Sequence, residues 1–253
     1  LFFERRVCLD AVLASNNTFL VPFGILSGYT SKMQRLLSVI LVALSVTWTY
    51  ADSSCPTVQP LRDLNLTEYG RATWFIQEQQ VNGYQNASCL FCTLATYVND
   101  GKHVPFFKGT VLGVHNFENV GGVNQGIEGP QVELCARQPD KDVPGKLLVA
   151  PCFLPNIASG PYWVLAVGSN NMGEYTWAVV SGGNPTVKYD DGCTTKETGI
   201  NGSGLWIFTR AMKGSVSDVD AAKKALVNLG YTLQRLKKVD QDGCTYKGAI
   251  IKK

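Results

Sequence analysis

Short apolar runs rich in β-branched and aromatic residues follow one another along most of the chain. They cover residues 74–80, 90–98, 106–117, 132–136, 147–152, 162–167, 175–181 and 205–210. Runs of this length and composition are typical of β-strands. Segments rich in Gly, Asn, Asp and Pro separate them, and these residues adopt turn conformations. Because no helical run interrupts the series, the pattern predicts eight strands in one antiparallel sheet.

The period of the apolar positions changes once, near the C-terminus. Between Val219 and Leu229 the apolar residues recur at helical spacing, with Ser217 before them as an N-cap and Gly230 after them as a C-cap. An open eight-stranded sheet has two unpaired edges, and closure into a barrel removes both. We therefore predict an all-β fold, an eight-stranded antiparallel up-and-down β-barrel with one C-terminal α-helix packed outside.

The N-terminal region has the layout of an export signal. Met33 is the first methionine, and an apolar run over residues 36–48 leads to the small residue Ala51. This predicts a signal peptide over residues 33–51, since a membrane-spanning helix needs a longer run of roughly 20 apolar residues. Residues 1–32 are predicted to be a non-native upstream extension. Residues 52–253 are expected to form one secreted domain without stable membrane insertion.

The composition of the chain indicates which partners its charge favours and whether its cysteines are expected to form disulfides. The 23 Lys and Arg residues nearly balance 20 Asp and Glu, and a net charge of +3 does not favour a nucleic-acid partner. Seven of the eight cysteines follow the predicted signal peptide, so an exported chain is expected to form disulfides with one cysteine left over. Export would also make Asn65, Asn86 and Asn201, each in an Asn-x-Ser/Thr sequon, candidate glycosylation sites on the surface.

Ordered motifs over residues 61–248 resemble those of the lipocalins, in particular the group of apolipoprotein D and the bacterial outer-membrane lipocalins. The segment YGRATWF at 69–75 resembles the first-strand signature, YTWAVVSG at 175–182 the seventh strand and LWIFTR at 205–210 the eighth. Ala72 stands where the family has Gly, and the turn at 168–173 lacks the Asp of the family. The resemblance implies a calycin barrel whose floor is closed by Trp74 beneath Arg210, a pair that gains roughly 0.5–2 kcal/mol of cation–π attraction.

Two long-range disulfides are implied by the same resemblance, one from the second strand to the C-terminal tail and one from the N-terminus to the segment after the seventh strand. Hairpin geometry, and not the family, suggests a third pair between the fourth and fifth strands. The three expected pairs are Cys92–Cys244, Cys55–Cys193 and Cys135–Cys152. Cys89 is then expected to be unpaired.

Alternation along the strands selects candidate ligand-binding residues. If Arg210 closes the floor, then Phe208 and Trp206, at alternate positions of the same strand, point into the barrel. Glu78 shares a predicted face with Trp74 and would be a buried polar handle. The candidates, each of which has plain core packing as its alternative, are Tyr97, Phe106, Trp206, Phe208 and Glu78.

Motifs for other chemistry are weak. Cys89 and Cys92 form a CxxC, but no helix follows to lower a thiol pKa and no second close pair completes a zinc site. His103 and His115 lie outside any nucleophile motif. We therefore expect no catalytic residue, no metal and no cofactor.

The resemblance implies an extracellular carrier of a small hydrophobic molecule such as a fatty acid, sterol, retinoid, carotenoid or tetrapyrrole. A cell-surface receptor is a further partner to consider. One alternative is a lipocalin-fold isomerase or de-epoxidase that uses Cys89, Glu78 or Glu133. The other is a defence or adhesion module that has a filled barrel and binds proteins through mouth loops such as 118–129.

Overall fold

The chain is described by a computed structural model over residues 54–126, 133–199 and 201–253. The predicted signal peptide and upstream extension lie outside the described residues. The strands are β1 Trp74–Gln80, β2 Phe91–Val98, β3 Val111–Asn119, β4 Leu134–Arg137, β5 Lys146–Pro151, β6 Gly160–Ser169, β7 Tyr175–Ser181, β8 Val187–Tyr189, β9 Gly192–Thr194, β10 Leu205–Thr209 and β11 Leu236–Lys238. The α-helices are α1 Leu66–Tyr69 and α2 Val216–Asn228, and 3-10 turns cover Ala87–Cys89 and Asn156–Ala158.

Eight of these strands form a closed barrel. The sheet order is β10-β7-β6-β5-β4-β3-β2-β1-β11, and β1 also pairs with β10, which closes the ring. The pairings between these named strands are antiparallel, and the short strands β8 and β9 form a separate hairpin. The prediction of an eight-stranded antiparallel barrel is confirmed, since closure leaves the barrel strands no free edge.

Helix α2 packs on the outside of the barrel. Its buried residues, Ala222 and Leu226, join a cluster with Val179 of β7 and with Leu205 and Ile207 of β10. The predicted outer helix is therefore present. Its N-cap is Ser215, two residues before the expected cap Ser217, because the Ser215 hydroxyl accepts the backbone N–H of Asp218 at 3.1 Å. It ends before Gly230, whose φ of +82° suits the residue that follows a helix.

The predicted third strand is wrong at its start. Residues 104–107 form a turn in which the Phe107 N–H donates to the Val104 carbonyl at 3.2 Å, and β3 begins only at Val111. Pro105 stands at the second turn position and Phe106 at the third, with φ of +61°. The apolar pattern continues through this turn, and Pro105 was the signal against a strand.

A β-bulge divides β1 into two registers. Ile76 lies opposite Phe208, but Glu78 lies opposite Ile207, so Gln77 is the extra residue. The Gln77 side chain leaves the ladder, donating to the Met212 carbonyl and accepting from the Gly214 N–H, both at 3.0 Å. The bulge exchanges the inner and outer faces for the second half of the strand.

Three disulfides join cysteines that both lie among the described residues, and they are the three expected pairs. They are Cys55–Cys193, Cys92–Cys244 and Cys135–Cys152. The expectation of an unpaired Cys89 is wrong, because Cys89 is also disulfide-bonded.

The three sequon asparagines are all exposed. Asn65 caps α1, with its Oδ1 accepting the backbone N–H groups of Thr67 and Glu68, and Asn86 caps a 3-10 turn through its Oδ1. A glycan would be attached at Nδ2, so glycosylation is compatible with both caps and stays a prediction. Among the described residues, no helix has the length and apolar character needed to cross a bilayer.

Candidate binding site

The barrel floor is closed by Trp74 and Arg210. The guanidinium carbon of Arg210 lies 3.4 Å from the centroid of the fully buried indole. The same guanidinium donates to four backbone carbonyl oxygens, those of Glu68, Tyr69, Ala72 and Tyr175. Burial lowers the pKa of Arg210 to about 10, so the group remains charged at neutral pH. Arg210 therefore ties α1, the segment before β1 and the start of β7 together at the floor of the barrel. Its position over Trp74 is the one that the resemblance implies.

The inner wall holds three of the five candidate ligand residues. Tyr97, Trp206 and Phe208 belong to the buried cluster inside the barrel, together with Trp74 and Ile76. Phe208 packs next to Trp74, with ring centroids 6.2 Å apart. Their inward orientation agrees with the predicted alternation, while a role in ligand binding stays a prediction.

The other two candidates do not reach the interior. Phe106 is fully exposed in the turn before β3. Glu78 points outward, because the bulge at Gln77 reverses the alternation, and its Oε1 lies 2.5 Å from the Nζ of Lys223 on α2. Neither residue can therefore contact a molecule inside the barrel.

Gln79 takes the inward position that was expected for Glu78. It lies opposite Trp206, is fully buried and donates to the Gln85 Oε1 at 3.2 Å. Its own Oε1 has no hydrogen-bond partner among the described residues. Gln85 in turn donates to the buried Glu118. Gln79, Gln85 and Glu118 therefore form a chain of hydrogen-bonded polar groups at the inner wall. Strand alternation alone does not predict this chain, because the inward position of Gln79 depends on the bulge.

Three tyrosine hydroxyls meet in the centre of the barrel. The hydroxyl oxygen of Tyr162 lies 2.7 Å from that of Tyr69 and 2.5 Å from that of Tyr97. The Tyr162 ring also stacks on Trp206, with centroids 6.5 Å apart. Burial raises the pKa of all three phenols, that of Tyr97 to about 12, so they remain protonated at neutral pH. Sequence reasoning named only Tyr97 of this cluster, since nothing local links 69, 97 and 162.

The inner wall is packed at the floor and accessible at the mouth. Trp74, Tyr97 and Phe208 have almost no exposed surface. By contrast, Val149 and Tyr162 face inward and are still partly exposed. Leu134 and Tyr84 pack against the same cluster and are also partly exposed. These four partly exposed residues at the inner wall, Tyr84, Leu134, Val149 and Tyr162, are called the cup below.

Concave sites formed by described residues also lie away from the cup, one of them at the floor side and one near the C-terminal tail. The larger, of about 300 Å³, lies at the floor side between α1, the β2–β3 connection and Lys252, with Leu66 and Leu112 in its wall. The smaller, of about 80 Å³, lies between Phe117 and the C-terminal tail. The sequence had not indicated either site, because residues from separate connections form each one.

A cluster of potential metal ligands lies on the outside of the barrel. Ligand atoms of Asp100, His115 and Glu133 lie within 4.8 Å of one another. The Lys102 ammonium lies 2.5 Å from Glu133 Oε1 and 3.5 Å from Asp100 Oδ2, so a cation already neutralises the two carboxylates. We assign no metal to this cluster.

Buried phenols predict a late alkaline transition. Among the described residues, six tyrosines have raised pKa values because of burial, namely Tyr69, Tyr84, Tyr97, Tyr162, Tyr231 and Tyr246. A phenol whose pKa is higher in the folded state stabilises the fold below its unfolded pKa of about 10, and that stability is lost as the pH rises through the folded value. We expect tyrosinate absorbance at 295 nm to rise mainly above pH 11, together with loss of near-UV circular dichroism. Ionisation of all tyrosines near pH 10 in a folded protein would contradict this packing.

Taken together, the closed barrel, the outer helix and the Trp74–Arg210 floor define the lipocalin fold. Solved structures similar to the chain include lobster apocrustacyanin A1, with 15% identity over 79% of this chain and 98% of the other and a TM-score of 0.46. The cockroach allergen Per a 4 has 15% identity over 78% and 98%, with a TM-score of 0.47. Insecticyanin from the tobacco hornworm Manduca sexta has 20% identity over 74% and 85%, with a TM-score of 0.45.

Comparisons of the amino-acid sequence itself identify no relative of the chain. No family model matches the chain, and no curated protein matches it. The fold assignment therefore rests on the strand order and the floor of the barrel.

Proposed function

We propose that the protein binds a small hydrophobic molecule in the mouth half of the barrel and carries it outside the cell. The observation that carries this proposal is the cup of inward, partly exposed apolar side chains, including Val149 and Tyr162, above a fully packed floor. A ligand that buries about 300 Å² of apolar surface there gains roughly 7 kcal/mol from desolvation. The loss of translational and rotational freedom offsets part of this gain, which leaves a reversible complex suited to carriage.

An extracellular location is supported by the covalent structure. Three disulfides tie the N-terminus, the barrel and the C-terminal tail, and such bonds persist in oxidising compartments. The exposed sequon asparagines agree with passage through the secretory pathway.

A binding function without catalysis is supported by the surroundings of Cys89, Glu78 and Glu133, the three candidate catalytic side chains. Cys89 is disulfide-bonded and is not a free thiolate. Glu78 pairs with Lys223 on the outer face, and Glu133 pairs with Lys102. None of these three groups lies on the inner wall, so a molecule in the cup would meet neither the thiol nor either acid.

Obstructing the cup tests the proposal. Val149→Trp places an indole in the mouth, and we expect binding of the apolar probe N-phenyl-1-naphthylamine to weaken at least about tenfold, because the indole occupies the volume of the ligand. Leu148→Trp, on the outer face of the same strand, is the matched control and should bind as the wild type does. Fluorescence titration gives both affinities, and near-UV circular dichroism checks the fold of each variant.

Extraction of the natively purified protein with organic solvent, followed by mass spectrometry, tests carriage directly. A stoichiometric apolar compound supports the proposal. Absence of such a compound, together with absence of probe binding to the wild type, would overturn it.

A protein-binding module is the second candidate, and the distribution of exposed apolar residues favours it. Phe106 and Ile157 are almost wholly exposed, and Phe153 is largely exposed. The loop that carries Phe153 and Ile157 is held rigidly, because the buried Arg137 donates to its backbone at Leu154 and to the Ser159 hydroxyl, both at 2.9 Å. The extraction experiment separates the two candidates, since a module of this kind needs no cargo.

A further inference from the structure

We propose that the cavity at the floor side of the barrel is a second binding site, which takes a small apolar monocarboxylate. The cavity has a volume of about 300 Å³ and is bounded by Leu66 of α1, Leu112 of β3 and Lys252 of the C-terminal tail. It is called the floor cavity below. The site goes beyond the proposed function, because no residue of the cup lines it.

The size and the wall of the floor cavity suit a small ligand with an apolar body. Its volume lies at the lower end of the range of ligand pockets, which is about 300–1,000 Å³. Leu66 and Leu112 contribute apolar side chains to the wall. Leu112 belongs to the buried cluster inside the barrel, and Leu66 packs against that cluster. The wall is therefore backed by the packed interior, and burial of an apolar ligand surface against it is favourable.

The C-terminal tail holds Lys252 at this cavity. The backbone N–H of Lys252 donates to the Thr73 hydroxyl at 2.9 Å, and its carbonyl accepts the Thr73 N–H at 3.1 Å. The ammonium group donates to the carbonyl oxygens of Gly70 and Tyr97. Gly70 itself lines the cavity, so these bonds hold the positive charge at the cavity wall. The cation is thus positioned before a ligand arrives.

Of the two cations in the described lining, Lys252 is the one without an anionic partner. No carboxylate of the described residues forms an ion pair with its ammonium, which bonds to uncharged carbonyl oxygens. The other cation, Arg71, donates from Nε to both carboxylate oxygens of Glu68 at 2.9 Å. Glu68 also accepts the backbone N–H of Tyr175 at 2.9 Å. One negative charge on a ligand would therefore balance the charge of Lys252.

A monocarboxylate fits this arrangement better than an uncharged group or a phosphate. A carboxylate accepts a charge-assisted hydrogen bond from the ammonium, which is stronger than the bond to an uncharged oxygen. A phosphate would carry additional negative charge into a lining that already contains the Glu68 carboxylate, and no second unpaired cation of the described lining would offset it. The apolar body of the ligand would lie against Leu66 and Leu112.

The test compares 1-naphthoate with 1-naphthamide, two probes of nearly the same shape, by isothermal titration calorimetry at neutral pH. We expect the wild type to bind naphthoate at least about fivefold more tightly, because the ammonium favours the charged probe, although its partial exposure limits the gain. In Lys252→Met this preference should fall below about twofold through weaker naphthoate binding, with the affinity for naphthamide unchanged. Lys253→Met removes the adjacent exposed lysine, which does not line the cavity, and should keep the full preference.

Filling the cavity separates it from the interior of the barrel. Thr110→Trp places an indole at the exposed rim of the floor cavity, and it should weaken the binding of both probes at least about tenfold because the ring occupies the volume of the ligand. Lys108→Trp adds the same indole to the same connection outside the cavity and should bind as the wild type does. Val149→Trp alters the cup and should leave the naphthoate preference intact. Near-UV circular dichroism shows whether each variant keeps its fold.

Each result supports or overturns the assignment. Equal affinities of the wild type for the two probes, or a naphthoate preference that survives in folded Lys252→Met, would overturn it. If Lys252→Met does not fold, the pair Thr110→Trp and Lys108→Trp decides whether the probes occupy the floor cavity. Loss of naphthoate binding in Val149→Trp with retention in Thr110→Trp would place the probe in the cup, which overturns the second site and supports the proposed function. Failure of the wild type to bind either probe would overturn the second site alone, since the proposed function is tested with N-phenyl-1-naphthylamine.

Discussion

Removal of the Cys92–Cys244 disulfide in the double variant Cys92→Ala/Cys244→Ala should lower the free energy of unfolding by roughly 5 kcal/mol. The bond joins residues 152 positions apart, and cross-linking such a long loop strongly restricts the unfolded chain in the loop-entropy description. Cys135–Cys152 spans only 17 positions, and its removal should cost about 3 kcal/mol by the same relation. Urea denaturation of the two double variants measures both values.

Packing of the tail provides an internal check on this expectation. Tyr246 contacts Phe75 and Phe117 with ring centroids 5.3 and 6.3 Å apart, and Gln241 donates to the carbonyls of Ile76 and Thr93. These contacts hold the tail on the barrel without the disulfide, so the native near-UV spectrum should be retained. The dependence of the unfolding free energy on urea should steepen, because the unfolded chain becomes more expanded. Equal losses for the long-range and short-range pairs would contradict the prediction.

Replacement of Arg210 by methionine should cost about 3–5 kcal/mol. The substitution preserves much of the apolar stem but removes the cation above Trp74 and the donors to four carbonyl oxygens. Cation–π attraction contributes about 0.5–2 kcal/mol, and each buried acceptor left without a donor costs about 1–3 kcal/mol, although solvent and relaxation recover part of that. Equilibrium denaturation followed by tryptophan fluorescence measures the loss.

Two further variants show which property of Arg210 matters. Arg210→Lys keeps a charge but offers no planar set of donors, so it should recover only a minor part of the stability. Arg71→Met removes an arginine at the partly exposed Glu68 ion pair and should cost less than about 1 kcal/mol. Full recovery by lysine, or a loss in Arg210→Met no larger than in Arg71→Met, would show that the floor does not depend on the guanidinium bonds.

The candidate site shows where reasoning from sequence reaches its limit. Alternation along β10 placed Trp206 and Phe208 inside correctly, because that strand pairs regularly with β7. The same rule failed for Glu78, because one extra residue at Gln77 reverses every later face of β1. A bulge is selected by the fit of both neighbouring strands, and the local sequence of one strand does not reveal it.

Several properties of this protein follow from its sequence alone. Periodicity of apolar residues determined the existence and order of the barrel strands and of the outer helix, because each element must bury one face. The resemblance of its motifs to those of the lipocalins implied the floor pair Trp74–Arg210 and the two long-range disulfides, and hairpin geometry suggested the third. Pro105, read as a turn signal, would also have placed Phe106 outside the third strand.

Only the tertiary structure decided the character of the interior. Convergence of three phenols from the end of α1, β2 and β6, the inward turn of Gln79 and the partial exposure of Val149 all depend on how strands far apart in sequence are staggered around the barrel. Each strand's pattern specifies only which of two faces a residue occupies. The distance between side chains on opposite walls is set by closure of the whole sheet, and that closure is a property of all eight strands together.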